Sequence, residues 1–261
     1  MYQLEKKEVY IMRHFKLILI AALAILLTTG LFVSAGSLPN HAQLQAALKT
    51  VVAEKNGGLG FHMWATLVDR DGVVRAVVFS GKERGEQWPG SRTISAQKAN
   101  TANAFSLPPF SLSTANLFSA VQPGGSLFGL QFSNPVDTTV AYQGPSVDIG
   151  TEKDPLVNHK MGGVNVFGGG LALYDSEGKL CGAIGVSGDS SCADHNIAWK
   201  VRHTLNLDNV PAGVSSTKDD NIVYDIRTGK SDSGWGHPAC SPEATTIAQK
   251  LPATHPIGPK P

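Results

Sequence analysis

From Asn40 onward the apolar positions fall at two different spacings, and each change of spacing marks a new element. Leu44, Leu48, Val51 and Val52 share one helical face, with Asn40 placed to cap the start and Asn56-Gly57-Gly58 to end it. The run "HMWATLVDRDGVVRAVVFSG" reads instead as two β segments about the turn dipeptide Asp71-Gly72. Both segments alternate only loosely, as expected where helices cover one sheet face. Helical spacing returns in "SRTISAQKANTANAF", where Ile94, Lys98, Ala102 and Phe105 form a weak face until Leu107-Pro108-Pro109. A short helix follows in "STANLFSAV", with Ser113 or Thr114 able to cap it.

From Leu127 to Gly163 no period is sustained. So long a connection reads as a lid, a subunit arm or an insertion around a site. Order resumes as a hairpin about Ser176-Glu177-Gly178, then a helix whose apolar face is Ala193, Ile197, Ala198, Val201 and Leu205. A last strand is expected at Asn221–Ile226, and residues 227–261 read as a loosely structured tail rich in Gly and Pro. The sum is an α+β chain around a mainly antiparallel sheet.

The N-terminus adds a compartment. Met12–Lys16 is a short basic segment, Leu17–Val33 is apolar apart from Thr28, Thr29 and Gly30, and Val33-Ser34-Ala35 is a small-x-small cleavage pattern. Residues 1–35 therefore read as a signal peptide. The acidic residues before Met12 fit a signal poorly, which makes Met12 the alternative start. An uncleaved anchor is the competing reading, because the run approaches the length of a spanning helix. Either way the expectation is export to the periplasm or beyond, with no membrane contact once the signal is removed. A net charge of +1 and the lack of a basic stripe argue against a nucleic-acid partner.

Export makes disulfides available to the three cysteines. Cys181 sits in an apolar run and reads as core, leaving Cys192 and Cys240 as the expected pair. The bond would close a loop of roughly fifty residues and stabilise by a few kcal/mol.

The stretch "CGAIGVSGDSSCADHNIAWK" invites three chemistries. A phosphate site needs Lys and Ser or Thr at fixed spacing after the glycines, and here they are missing. A nucleophile elbow needs glycine two residues after the serine, where Asp189 stands. A zinc site lacks a second ligand pair, and His195 and His203, eight residues apart, lie too far apart to share one ion. The plainer reading is a structural joint, with Gly185 and Gly188 serving close approach or positive φ between the last strand and the last helix. Asp194 and His195 then complement the helix start and meet solvent.

Two stretches together resemble the GlcG/HbpS-type haem-binding family. "SAQKANTANAF" is similar to its S-x-x-K-A-x-T-A-x-x-F segment, and "FGGGLALYDSEGKLCGAIGVSGDSSCADHNIA" to its hairpin, glycine corner and acidic helix start. The resemblance implies a profilin-like or sensor-like sheet of about five strands flanked by helices, a tendency to form homo-oligomers, and haem as cofactor. It places the family-like body at 36–226, with a long insertion at about 134–161 and the tail beyond.

Three functions follow as expectations. The first is an exported haem-binding protein that sequesters, relays or senses haem without catalysis. Its axial ligand would be His159 or, failing that, His195, with His62 and His203 behind, and Lys98 would pair a propionate. A solvated helix lysine is the plainer reading of Lys98. The second is an enzyme or accessory factor for a small organic acid, held by Arg92, Lys98 and Lys160 and worked on by Asp194 and His195. The third is a ligand-free structural oligomer.

Overall fold

The computed structural model describes residues 37–258. The expected signal peptide lies outside the described residues. Among them no helix is long and apolar enough to cross a membrane.

Two hairpins build the sheet. Strands β1 (Trp64–Asp69) and β2 (Val74–Phe79) form the first, β3 (Gly170–Tyr174) and β4 (Leu180–Ser187) the second. Antiparallel pairing of β1 with β4 joins them in the order β2-β1-β4-β3. The sheet therefore has four strands where about five were expected. The segment expected as a fifth strand, 221–226, does not join this sheet: the Asn221 and Ile222 amides donate to the side chains of Asp219 and Asn221, Val223 bridges to Gly236, and only its last residue, Ile226, enters a strand. A separate two-stranded ribbon, β5 (Ile226–Arg227) and β6 (Lys230–Ser231), follows it.

Both faces of the sheet are covered, which explains the loose alternation; only one face had been expected to be. On one side Ala65, Leu67, Ile184 and Val186 pack under helices α1 (His41–Val52) and α3 (Ser191–Thr204). On the other, Trp64, Val68, Val77 and Ala183 pack under helix α2 (Gly90–Ala104) and the connection around Ala141–Met161. Asn40 caps α1 as expected, and Gln43 returns the bond to close a reciprocal capping box.

Helix α2 lies on the sheet through Ala96, Ala99 and Ala102, while Ile94 points away from the core. Its close approach is made possible by Gly185. A Cβ there would fall 1.9 Å from the Ser95 carbonyl oxygen and 2.5 Å from the Ala99 nitrogen. The joint at Gly185 thus belongs to β4 and α2, rather than to β4 and the helix that follows it. At Gly188, a Cβ would meet His62 O at 2.6 Å.

The connection 127–163 is ordered by a buried ion pair. Arg92 Nε donates to Asp154 Oδ2 at 2.9 Å, and Asp154 also accepts the Gly150 and Leu156 amides. The tail corrects its expectation more sharply. Helix α4 (Pro242–Thr254) packs on α3, with Ser241 capping it, Pro242 at its first turn, and Ala244, Ala248 and Leu251 buried. Cys192 and Cys240 form a disulfide that joins the start of α3 to the tail. Cys181 remains a free thiol, half-buried rather than in the core.

Gly185→Ala is expected to lower stability by about 3 kcal/mol, because backbone rather than a mobile side chain occupies the space. Urea unfolding checks it. An unchanged midpoint would mean that α2 is not seated as described.

Candidate functional site

A cavity of about 400 Å³ opens where the end of β4, the first half of α2 and the start of α3 meet the tail. Trp88, Ile94, Phe118 and Phe167 make its apolar walls; Lys98, Asp189, Asp194 and His237 supply its titratable groups, and Ser91, Ser187 and Ser191 its hydroxyls. Its volume falls in the range of small-molecule sites.

The floor is an ion pair. Lys98 Nζ donates to Asp194 Oδ2 at 2.7 Å and to the Val186 carbonyl at 3.1 Å. Both residues are almost wholly buried, which excludes a solvated lysine on α2 and a solvent-facing acid at the start of α3. Burial pushes the Asp194 carboxyl up to about 6, against the pull of the Lys98 ammonium.

Asp194 Oδ1 accepts the Asp189 amide at 2.9 Å. The Asp189 carboxylate in turn accepts the amides of Leu59, Gly60 and Phe61, at 2.8 to 3.3 Å. The donors wrapped around this corner are therefore filled by the protein's own carboxylate.

The wall facing the aromatics carries a histidine that motif reading passed over. His237 lies on the tail, its ring 5.0 Å from that of Phe118. Its Nδ1 is 2.7 Å from the Pro238 carbonyl oxygen, and its Nε2 is 2.8 Å from Ser191 Oγ. A carbonyl only accepts, so Nδ1 carries the proton and Nε2 offers a lone pair to the Ser191 hydroxyl. Burial pushes the imidazole down to about 4, and it is neutral at pH 7. A Ser–His pair oriented by a peptide carbonyl, with so weak a base, is poorly built to activate a nucleophile.

The residues expected to act together are dispersed. His159 is exposed beside Val74, to whose amide its own carbonyl is bonded. The cavity lies near Ser187, which pairs with Trp64, itself opposite Phe79 at the far end of β2. Val74 and Phe79 are the two ends of that strand, roughly 17 Å apart at strand rise. His195 is fully buried; its Nε2 lies 3.1 Å from both Asn221 Oδ1 and the Ile222 nitrogen, and burial pushes it down to about 3. It is a core histidine. His62 pairs with Ser80 and His203 with Asp208. Arg92 is consumed by Asp154, and Lys160 is exposed and outside the cavity lining, so the three cations expected to hold an organic acid do not converge. Only Lys98 and Asp194 reach the site. Among the described residues no cluster of three metal-ligating side chains occurs.

The geometry defines a sheet-and-helix protein with an apolar small-molecule cavity floored by a buried ion pair. The chain belongs to the family described as "Haem degrading protein HbpS-like", whose model matches residues 40–202. It is similar to the corrinoid adenosyltransferase PduO of Citrobacter freundii, 30% identical over 137 residues, which are 52% of this chain and 32% of that protein. The chain thus spans about a third of that relative's length. Among solved structures it is similar to a PduOC–haem complex (24% identity, 66% of this chain and 96% of that one, TM-score 0.45). Two others are Klebsiella pneumoniae protein ORFY (24%, 67% and 97%, 0.42) and HbpS (18%, 66% and 94%, 0.40). His237, Pro238 and Cys240 lie beyond the matched segment.

These groups set an acid response. Unfolded histidines take up protons near pH 6.5, whereas His195 and His237 resist until about 3 and 4. Stability is therefore lost as pH falls below 6.5. Asp194 opposes this, since the folded state takes its proton near 6 and the unfolded state only near 4. At pH 5 the unfolded state holds two of these protons and the folded state one, for a net slope of about 1.4 kcal/mol per pH unit. Urea unfolding at pH 7 and pH 5 should show the protein weaker at pH 5; equal or greater stability there would contradict the burial described.

Proposed function

We propose that this chain is an exported protein that binds haem in the aromatic cavity and sequesters, relays or senses it without catalysing a reaction. The observation that carries the reading is a neutral imidazole set among aromatic walls above a buried ammonium. The donor set fits the group: His237 carries an unprotonated ring nitrogen that only the Ser191 hydroxyl meets, and Trp88, Ile94, Phe118 and Phe167 offer apolar surface, while Lys98 stays paired with Asp194 beneath them. Bound haem would supply an iron centre, which His237 and the aromatic walls would hold. The family description adds independent support for haem as the ligand.

That description also speaks of degradation. The cavity's titratable groups each have their partners already, Lys98 in Asp194, His237 in Ser191 and the Pro238 carbonyl, and Asp189 in the amides of residues 59–61, which favours holding over turnover. Export is supported by the signal-like N-terminus and by a disulfide of the kind oxidising compartments maintain. Self-association is supported by the exposure of four large apolar residues, Phe128, Phe132, Tyr142 and Val147, along the 127–163 connection.

Titrating purified protein with micromolar haemin should shift the Soret band and saturate near one haem per chain, and the band should persist on aerobic incubation with reductant. Failure to shift removes the haem reading, and decay of the band with release of iron replaces binding by degradation. N-terminal sequencing of secreted protein and light scattering on the same sample test export and self-association.

A further inference from the structure

We infer that His237, supplied by the C-terminal extension, is the residue that ligates the ligand's metal, and that the extension completes a cavity which the family body leaves open. The inference rests on the haem reading and deepens it by naming the ligating atom.

Three observations meet at this residue. First, among the histidines of the described residues His237 alone lines the aromatic cavity; His159 lies at the far end of the sheet and His195 is sealed in the core. Second, the ring is prepared as a metal ligand. An Nδ1–H bonded to a main-chain carbonyl fixes the tautomer that leaves Nε2 basic, the arrangement metal-bound imidazoles adopt. The Nε2 lone pair is met only by the Ser191 hydroxyl, a partner that can turn away at small cost.

Third, the segment is held rigidly on both sides. The His237 amide donates to Val223 O at 2.8 Å, and three residues on, Cys240 is bonded to Cys192 in the first turn of α3. Ser119 Oγ donates to the Gly236 carbonyl at 2.6 Å, tying the preceding residue to the cavity's other wall. Such anchoring is redundant for a surface loop and is what a ligating side chain requires.

Haemin titration of the full chain, followed by absorbance and by electron paramagnetic resonance, tests the assignment with wild type, His237→Ala and Ser191→Ala. Wild type should show a nitrogen-ligated ferric signal. His237→Ala should lose it and bind haemin at least tenfold more weakly, and added imidazole should restore the signal. Ser191→Ala, which removes the only competitor for Nε2, should bind several-fold more tightly; because it leaves the core untouched, it decides the matter should His237→Ala fail to fold. A folded His237→Ala with wild-type spectrum and affinity, or a Ser191→Ala whose affinity does not change, overturns the assignment while leaving haem binding intact. A wild type that takes up no haemin overturns the haem reading itself, and the assignment with it.

Discussion

The buried pair between Lys98 and Asp194 is the contact on which the described arrangement depends. It joins the helix on one sheet face to the helix on the other, at the end of β4 where the strand stops separating them. Removing either partner would leave a buried charge unpaired at a cost of about 3–5 kcal/mol, which favours the one register in which the two helices meet. The same carboxylate accepts the Asp189 amide, and Asp189 gathers the loop at 59–61. A chain of charge and amide thus runs from α2 through α3 to the loop after α1. The cavity is the space left above it.

Seen this way, the glycine corner is a packing device with an electrostatic lock. Gly185 removes the side chain that would keep α2 from the sheet, and without that approach the Lys98 ammonium could not reach across to Asp194. Asp189, which spoils the serine-elbow pattern, fills an amide cradle that would otherwise attract a foreign anion. The resemblance of this stretch to nucleotide and nucleophile motifs has one physical origin: all need backbone to pass close to backbone, and only glycine permits it.

What could be read from the residues followed their local chemistry. The hairpins, the capped first helix and the helix after the corner were legible because turn dipeptides, caps and spacing are local signals; the Cys192–Cys240 pairing, 48 positions apart, was legible only because three cysteines leave few pairings once Cys181 is set aside. The role of Lys98 was not, since its partner lies 96 positions away and a lone lysine on a helix usually meets water. His195 misled for the same reason, its burial arising from Asn221 and Ile222 on a distant strap. Helix α4 was missed although Ser241-Pro242-Glu243 is a sound helix start; the glycines and prolines before it set the expectation for the whole tail. With α4 unread, His237 had no place to be.

The extension matters because of where its constraint acts. A disulfide stabilises mainly by shrinking the unfolded ensemble, and its effect grows with the loop it closes. Here the loop holds α3, the strap at 219–225 and the approach to α4, all of which pack on one another: Asn196 reaches the Ala244 carbonyl, and Asn221 reaches that of Ala248. The covalent link therefore reinforces contacts already paired. Its local consequence is to pin the chain on the C-terminal side of His237, at the rim of an apolar cavity, where a free loop would fray. The stapled tail, which lies beyond the segment matched at 40–202, thus sets a fixed imidazole in the cavity wall without disturbing the ion pair beneath it.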